Sequence, residues 1–246
     1  MYSFTVLLLA ALQALLLVQI RGDSGITNYE CADKSVCGDQ CQKLATYFQS
    51  EGKATGWGIR HPSLSRHYNE VQCKVCVEIG VARGELAHFL IRHNPQIEEY
   101  HGIDPFLGNY DKTDAMSNEL AKWNTSTAWA ATVQNALKSF GCKFRLHYGL
   151  STDRAADFPK NSIDCIFIDG DHTFEGVKTD IMAFSPILKP GGYYFFDDVS
   201  YQFPGTTKAV ETFVDKNKLE IVQVNKHNNY RVRKPTDESQ VLNFDW

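Results

Sequence analysis

The chain carries no basic stripe, no internal repeat and no low-complexity tract, and its formal net charge over 246 residues is only −4. Without clustered positive charge there is little to draw a polyanion, so nucleic acid is excluded as an expected partner on electrostatic grounds. Nothing in the composition marks off a second domain of comparable size, and 43% hydrophobic residues suffice for the core of one α/β domain. Lysine and arginine are missing from the first twenty residues, where Phe4–Ile20 is an almost uninterrupted apolar run. That run is short for a spanning helix, and Gly22 and Ser24 offer a small-x-small cleavage site, so residues 1–24 are expected to be a secretory leader and the product to be exported. Arg21, just after the run, would instead suit an uncleaved anchor with the domain facing the cytosol, and only then is a membrane an expected partner.

Seven cysteines bear on the compartment, and their odd number leaves at least one unpaired. Cys31, Cys37 and Cys41 cluster in an N-terminal cap segment, residues 25–70, where an oxidised staple is expected. Cys73-x-x-Cys76 invites a redox or zinc reading, but residues three apart on a strand point to opposite faces, so core packing is expected for that pair and burial for Cys165. Asn124-Thr125-Ser126 is a glycosylation acceptor that matters only in a lumenal chain.

From residue 71 onward the pattern alternates. Strand-like runs at Lys74–Ile79, Glu99–Ile103, Phe144–Tyr148, Asp164–Ile168 and Tyr193–Phe196 are separated by helical patterns such as Thr127–Phe140 and Phe174–Leu188. This alternation implies parallel strands with right-handed crossovers. A helix around Thr207–Lys216 and strands at Leu219–Val224 and Tyr230–Arg233 close the chain, the last two as an antiparallel hairpin. Ahead of the first strand, Cys41–Glu51 reads as a helix and Gly52–Asn69 as a connector.

The densest chemistry lies in Val75–Gly84, VCVEIGVARG, where an apolar strand runs through Glu78 into a glycine-punctuated turn that opens a helix. Gly80 and Gly84 permit tight turning and close approach of main-chain amides to a ligand, and Asp104 ends the next strand where a doubly wound sheet holds ribose hydroxyls. The spacing E-x-G-x-x-x-G differs from the G-x-G-x-x-G of NAD and FAD sites. EIGVARG, GIDPF, DCIFIDGDHTFEGVKTDI and LKPGGYYFFDD together resemble a class I S-adenosylmethionine-dependent methyltransferase over roughly residues 71 to 235. The IDGDHTFEGVKTD segment is similar to the small-molecule O-methyltransferase branch. The resemblance implies a Rossmann-like, doubly wound seven-stranded α/β sheet, mostly parallel with an antiparallel C-terminal hairpin, in a domain covering residues 71–246.

The resemblance also distributes roles. Glu78, Gly80, Ala82 and Gly84 would approach the methionine part of S-adenosylmethionine, Asp104 its ribose, and the Gly149–Thr152 loop with Ser151 its adenine, with Asp169 beside the cofactor at the end of the fourth strand. Asp169, Asp197 and Asp198 close two apolar runs at one rim of the sheet, and oxygen-only ligands suit a divalent cation, Mg²⁺ above all. As in catechol-type enzymes, that cation would bind a small-molecule acceptor through its hydroxyl and lower the hydroxyl pKa. His172 falls at the place of the general base and, with Asp169, is the expected catalytic pair. Simpler roles stand beside these: turns for the glycines, helix caps for Asp104, Ser151, Asp171 or His172, and backbone contacts for Asp197 or Asp198. Phe106–Ser126, with Tyr110, Met116 and Trp123, and Gly56–Tyr68, with Trp57, Arg60, His61, His67 and Tyr68, are candidate walls over the acceptor. The rival functions are a non-catalytic secreted binding module and a hydroxylase-like relative on the same fold.

Overall fold

The computed structural model describes residues 48–49, 57–108, 115–121, 126–237 and 239–246. The expected leader, the Cys31/Cys37/Cys41 staple and the Asn124 acceptor lie outside the described residues, as do Tyr110, Trp123 and most of the expected helix Cys41–Glu51. Seven strands form a single sheet: β1 Val75–Ile79, β2 Glu99–Asp104, β3 Phe144–Tyr148, β4 Ile163–Ile168, β5 Leu188–Phe196, β6 Ile221–Gln223 and β7 Tyr230–Arg233. Their order is β3-β2-β1-β4-β5-β7-β6. The first five are mutually parallel, and β7 joins β5 and β6 antiparallel. This is the doubly wound, Rossmann-like α/β architecture, with its switch point between β1 and β4.

Helices α1 His61–Glu70, α2 Glu85–His93, α3 Ala115–Leu120, α4 Ser126–Leu137, α5 Ser151–Arg154, α6 Phe174–Phe184 and α7 Pro204–Asn217 surround the sheet. Both faces are covered, which is why the central strands read as continuous apolar runs. On β1 the side chains divide by pleat. Cys76 joins a cluster with Leu64, Tyr68, Leu90, Trp129 and Phe195, while Val77 and Ile79 join one with Ile166, Ile181, Phe184 and Phe213.

Two local readings are corrected by the structure. The expected connector Gly52–Asn69 contains a 3₁₀ turn, Trp57–Arg60, running into α1. Pro62 in the first turn presets the helical φ, and His61, Leu64 and Tyr68 line its buried face, but the intervening Ser, Arg, Asn and Glu side chains mask that stripe in the sequence. The last parallel strand, expected over Tyr193–Phe196, starts earlier, at Leu188, and takes in Lys189–Gly192, and its register with β4 shifts between Ile163 and Cys165.

Cys73, Cys76 and Cys165 are all fully buried, but burial is not the whole account: Cys73 and Cys165 form a disulfide that ties the entry of β1 to β4. Among the described residues, Cys76 and Cys142 are free. The bond closes 92 residues of chain. In the chain-entropy picture such a loop is worth about 4–5 kcal/mol. The double variant Cys73→Ala/Cys165→Ala should therefore lose several kcal/mol in urea unfolding; a variant within about 0.5 kcal/mol of the parent would count against a structural role for the bond.

Candidate functional site

A cavity of about 840 Å³ opens at the carboxyl ends of β1, β2 and β4 and draws its lining from the turns that follow them. Its floor is the glycine turn. Gly80 has φ +88°, donates its amide to the Ile103 carbonyl at 2.9 Å, and lies so close to the Asp169 backbone that an added Cβ would stand 1.9 Å from the Asp169 carbonyl oxygen. Only glycine fits there, and the cavity therefore has bare backbone at its base. Gly84, at φ +75°, caps α2, and a Cβ on it would meet Leu137 Cδ1 at 2.9 Å.

Asp104 ends β2 inside this lining. Its Oδ2 accepts the Ala82 amide at 2.8 Å and its Oδ1 the Phe106 amide at 2.6 Å. Ala82 and Phe106 both have positive φ, +50° and +48°, a costly conformation for residues with a Cβ. One carboxylate thus holds the two strained turns that flank the cavity. Burial pushes the Asp104 carboxyl up to about 6 even though both amides pull it down. Glu78 is buried beneath the turn, accepts from the Tyr100 hydroxyl at 2.9 Å, and is driven well above the usual carboxylate range by burial.

Ser151 opens α5 on the same lining and donates its hydroxyl to Asp180 of α6. Burial pushes the Asp180 carboxyl up to about 7 against that bond, with the Asp171 charge raising it further. The sequence reading overlooked Asp180, although a carboxylate on the buried stripe of Val177, Ile181 and Phe184 is a visible signal. The residue preceding α5 is Leu150, and the Ser151 hydroxyl is turned to Asp180 instead.

The acidic rim divides unequally. Asp197 is 1% exposed; its Oδ1 accepts the Asp198 amide at 2.8 Å and the Asn229 side-chain amide at 2.6 Å, and its Oδ2 pairs with the Arg60 guanidinium. Arg60 also reaches Asp169 Oδ2 at 2.9 Å. His172 turns Nε2 toward Asp198 Oδ2 at 3.3 Å and Asp169 Oδ1 at 3.6 Å, its ring held against Phe203 at a centroid distance of 4.6 Å. Donor atoms close enough to share one ion, within 4.8 Å of each other, come from Asp169, His172 and Asp198 rather than from Asp169, Asp197 and Asp198. Helix capping falls to Thr173, whose hydroxyl accepts from Gly176, with Asp171 bonding the Thr173 amide.

Of the expected walls, Met116, Arg60 and His61 do line the cavity, whereas Tyr68 is a core residue packed on Phe195. Arg60 stood in the sequence only as one polar residue among several; its partners lie 109 and 137 positions away, beyond any local pattern. Among the described residues no helix is long and apolar enough to cross a membrane.

The fold and the glycine-floored cavity define a Rossmann-like protein of the kind that cradles a nucleotide-like ligand at the switch point. Residues 77–199 match a family described as "Methyltransferase domain", and with half its length in that match the chain belongs to this family. It is 30% identical over 122 residues to uncharacterized protein R132 of Acanthamoeba polyphaga mimivirus, covering 50% of each, so the chain spans about half the length of that curated relative. In fold it resembles the SAH-bound methyltransferase PaMTH1 of Podospora anserina, at 13% identity and TM-score 0.56 over 88% of this chain and 100% of that one. It also resembles the O-methyltransferase TomG of Streptomyces achromogenes, solved in complex with SAM, at 13% identity and TM-score 0.54 over 80% and 89% of the two chains.

The raised carboxyl of Asp180 gives a pH signature. A folded-state pKa above the unfolded value of 3.8 means that the folded chain holds the proton longer, so the contribution of Asp180 to stability falls as pH rises from about 4 to about 7. Asp180→Asn lacks this titration. In the apo protein its stability relative to wild type should rise across that window and level off above it; a difference independent of pH would remove the burial argument.

Proposed function

We propose that the chain is an S-adenosylmethionine-dependent methyltransferase acting on a hydroxyl of a small molecule. The observation that carries this reading is the Gly80 floor, where bare backbone and the Asp104 carboxylate face one cavity. Family membership supports methyl transfer, and the SAM- and SAH-bound relatives of the same fold support the donor. When bound, S-adenosylmethionine supplies a methyl group activated on a sulfonium. Asp104, with one amide already on each oxygen, keeps further lone pairs for ribose hydroxyls. Ser151 would hold the adenine side, and Gly80, Ala82 and Gly84 would offer backbone to the methionine part above Glu78. His172 takes the acceptor hydroxyl's proton on Nε2, and the Asp169 and Asp198 carboxylates beside it stabilise the imidazolium that results.

A second reading adds a divalent cation, Mg²⁺ by preference, and the observation favouring it is the convergence of Asp169, His172 and Asp198. It asks His172 to serve as ligand instead of base, and it sets the ion beside the guanidinium already on Asp169. The Asp169, Asp197 and Asp198 trio fits an ion less well, because Arg60 and Asn229 occupy both Asp197 oxygens. The partner of the site is a small-molecule acceptor, with no nucleic acid involved. We further propose export, which the buried Cys73–Cys165 disulfide supports, since such bonds persist in oxidising compartments. In a secretory cell the product should lack its first 22 or so residues; an intact N-terminus on a membrane-bound product would favour the anchored alternative.

The cofactor reading is tested by calorimetry with S-adenosylhomocysteine. The full chain should bind it, and Asp104→Asn should weaken binding about tenfold to a hundredfold by removing charge from the hydrogen bonds. No binding by the parent chain rejects the reading and favours a hydroxylase-like relative or a binding module of other specificity. With labelled donor and a panel of phenols and sugars, His172→Ala should lower turnover about 10²–10⁴-fold at nearly unchanged cofactor affinity. Cofactor binding without transfer to any acceptor would favour the binding module, and an unchanged rate would remove His172 from the chemistry.

A further inference from the structure

Arg60 enters the site from outside the residues that match the methyltransferase family. The 3₁₀ turn Trp57–Arg60 carries it to the rim, and α1 anchors that turn through His61, which is 1% exposed. Burial, with the Arg60 charge beside it, pushes the His61 imidazole down to about 3, so His61 brings no competing positive charge. The guanidinium spans the ends of two adjacent strands: Nη2 is 2.9 Å from Asp169 Oδ2 beyond β4, and Nη1 is on Asp197 Oδ2 beyond β5. Its Cζ lies 5.8 Å from the centre of the Phe167 ring, where the cation meets a π face. A planar guanidinium bridging two carboxylates does what a divalent ion would do in the same gap: it neutralises like charges that otherwise repel and fixes the spacing of the strand ends.

We propose that Arg60 is the resident cation of this rim, that it keeps divalent metal out, and that it makes the site metal-independent. Of the three rim carboxylates, Asp197 has both oxygens committed, and Asp169 has one. An ion coordinated by the remaining Asp169 oxygen would sit next to the guanidinium, and at that separation like charges repel strongly in a partly buried site. Without the guanidinium the same rim would hold three carboxylates and a histidine, the donor set that binds Mn²⁺ or Mg²⁺. Arg60 is thus a positioning residue: it holds Asp169 at the distance from which that carboxylate faces His172 Nε2. The exclusion of metal rests on geometry alone; its meaning for catalysis rests on the methyl-transfer reading.

The test is Mn²⁺ binding by the full chain, followed by the loss of the free-ion paramagnetic resonance signal. Wild type should leave Mn²⁺ free up to about 1 mM. Arg60→Met should bind one Mn²⁺ at least about tenfold more tightly and release it to Mg²⁺. Arg60→Lys, which keeps the charge, should behave as wild type. Wild-type binding at micromolar Mn²⁺ that disappears in Asp169→Asn would overturn the proposal, as would a folded Arg60→Met chain that binds no better than its parent. Should Arg60→Met fail to fold by near-ultraviolet circular dichroism, the wild-type and Asp169→Asn titrations decide alone: silence supports the proposal and tight, Asp169-dependent binding ends it. S-adenosylhomocysteine calorimetry on the same samples separates the two readings, because loss of cofactor binding bears on methyl transfer and leaves the Mn²⁺ result intact.

Discussion

The contact between the Gly80 and Asp169 backbones is the constraint on which the site depends. At the β1–β4 switch point two segments of the chain leave the sheet side by side, and they come so close that no side chain fits between them. The cavity floor and the acidic rim are consequently one structure. The turn after β1 supplies bare backbone, and the turn after β4, braced against it by the Asp169 amide bonding the Ile79 carbonyl at 2.9 Å, supplies the carboxylate and His172. A larger residue at position 80 would separate the two and dissolve the relation between them.

Asp104 does a comparable service on the other side. It is tempting to see a buried carboxylate at a strand end purely as a ligand contact, yet its oxygens already hold the amides of two residues in the left-handed region. The strain at Ala82 and Phe106, of order 1–3 kcal/mol each, is offset by charge-assisted bonds from a group that itself faces the cavity. Trp129 adds to the arrangement by donating its indole N–H to the Ala82 carbonyl at 2.8 Å. The shape of the two turns and the charge lining the cavity are therefore coupled through one side chain.

What could be read in the sequence follows from range. The parallel strands were legible because both faces are buried and their apolar runs are local, and the glycine turn was legible because a left-handed turn has few sequence solutions. Helix α1 was not, since its buried stripe consists of a histidine, a leucine and a tyrosine among polar residues. The Cys73–Cys165 bond was hidden in a different way: strand alternation set aside a Cys73/Cys76 pair in favour of core packing, and nothing local points to Cys165, which the parallel register of β1 and β4 brings beside Cys76 and within reach of Cys73. At the rim, adjacency misled as well. Asp197 and Asp198 are neighbours in sequence, but Asn229 from the approach to β7 and Arg60 from the approach to α1 take the first, and a left-handed φ of +53° turns the second toward His172.

That divergence explains how two consecutive aspartates can serve different ends. A carboxylate as buried as Asp197 is tolerable only when paired and hydrogen-bonded, and breaking such a pair leaves a charge costing about 3–5 kcal/mol. Its position is therefore dictated by stability and fixes the end of β5. Asp198, more open to solvent, is released from that duty by the turn that Asp197 anchors through its own bond to the Asp198 amide. Asp169 lies between the two cases, with one oxygen on Arg60 and the other toward His172. The two carboxylates thus face the His172 ring from the ends of two different strands, and the placement of the ring depends on both. The guanidinium that holds one of those carboxylates is then linked to the placement of the imidazole without touching it.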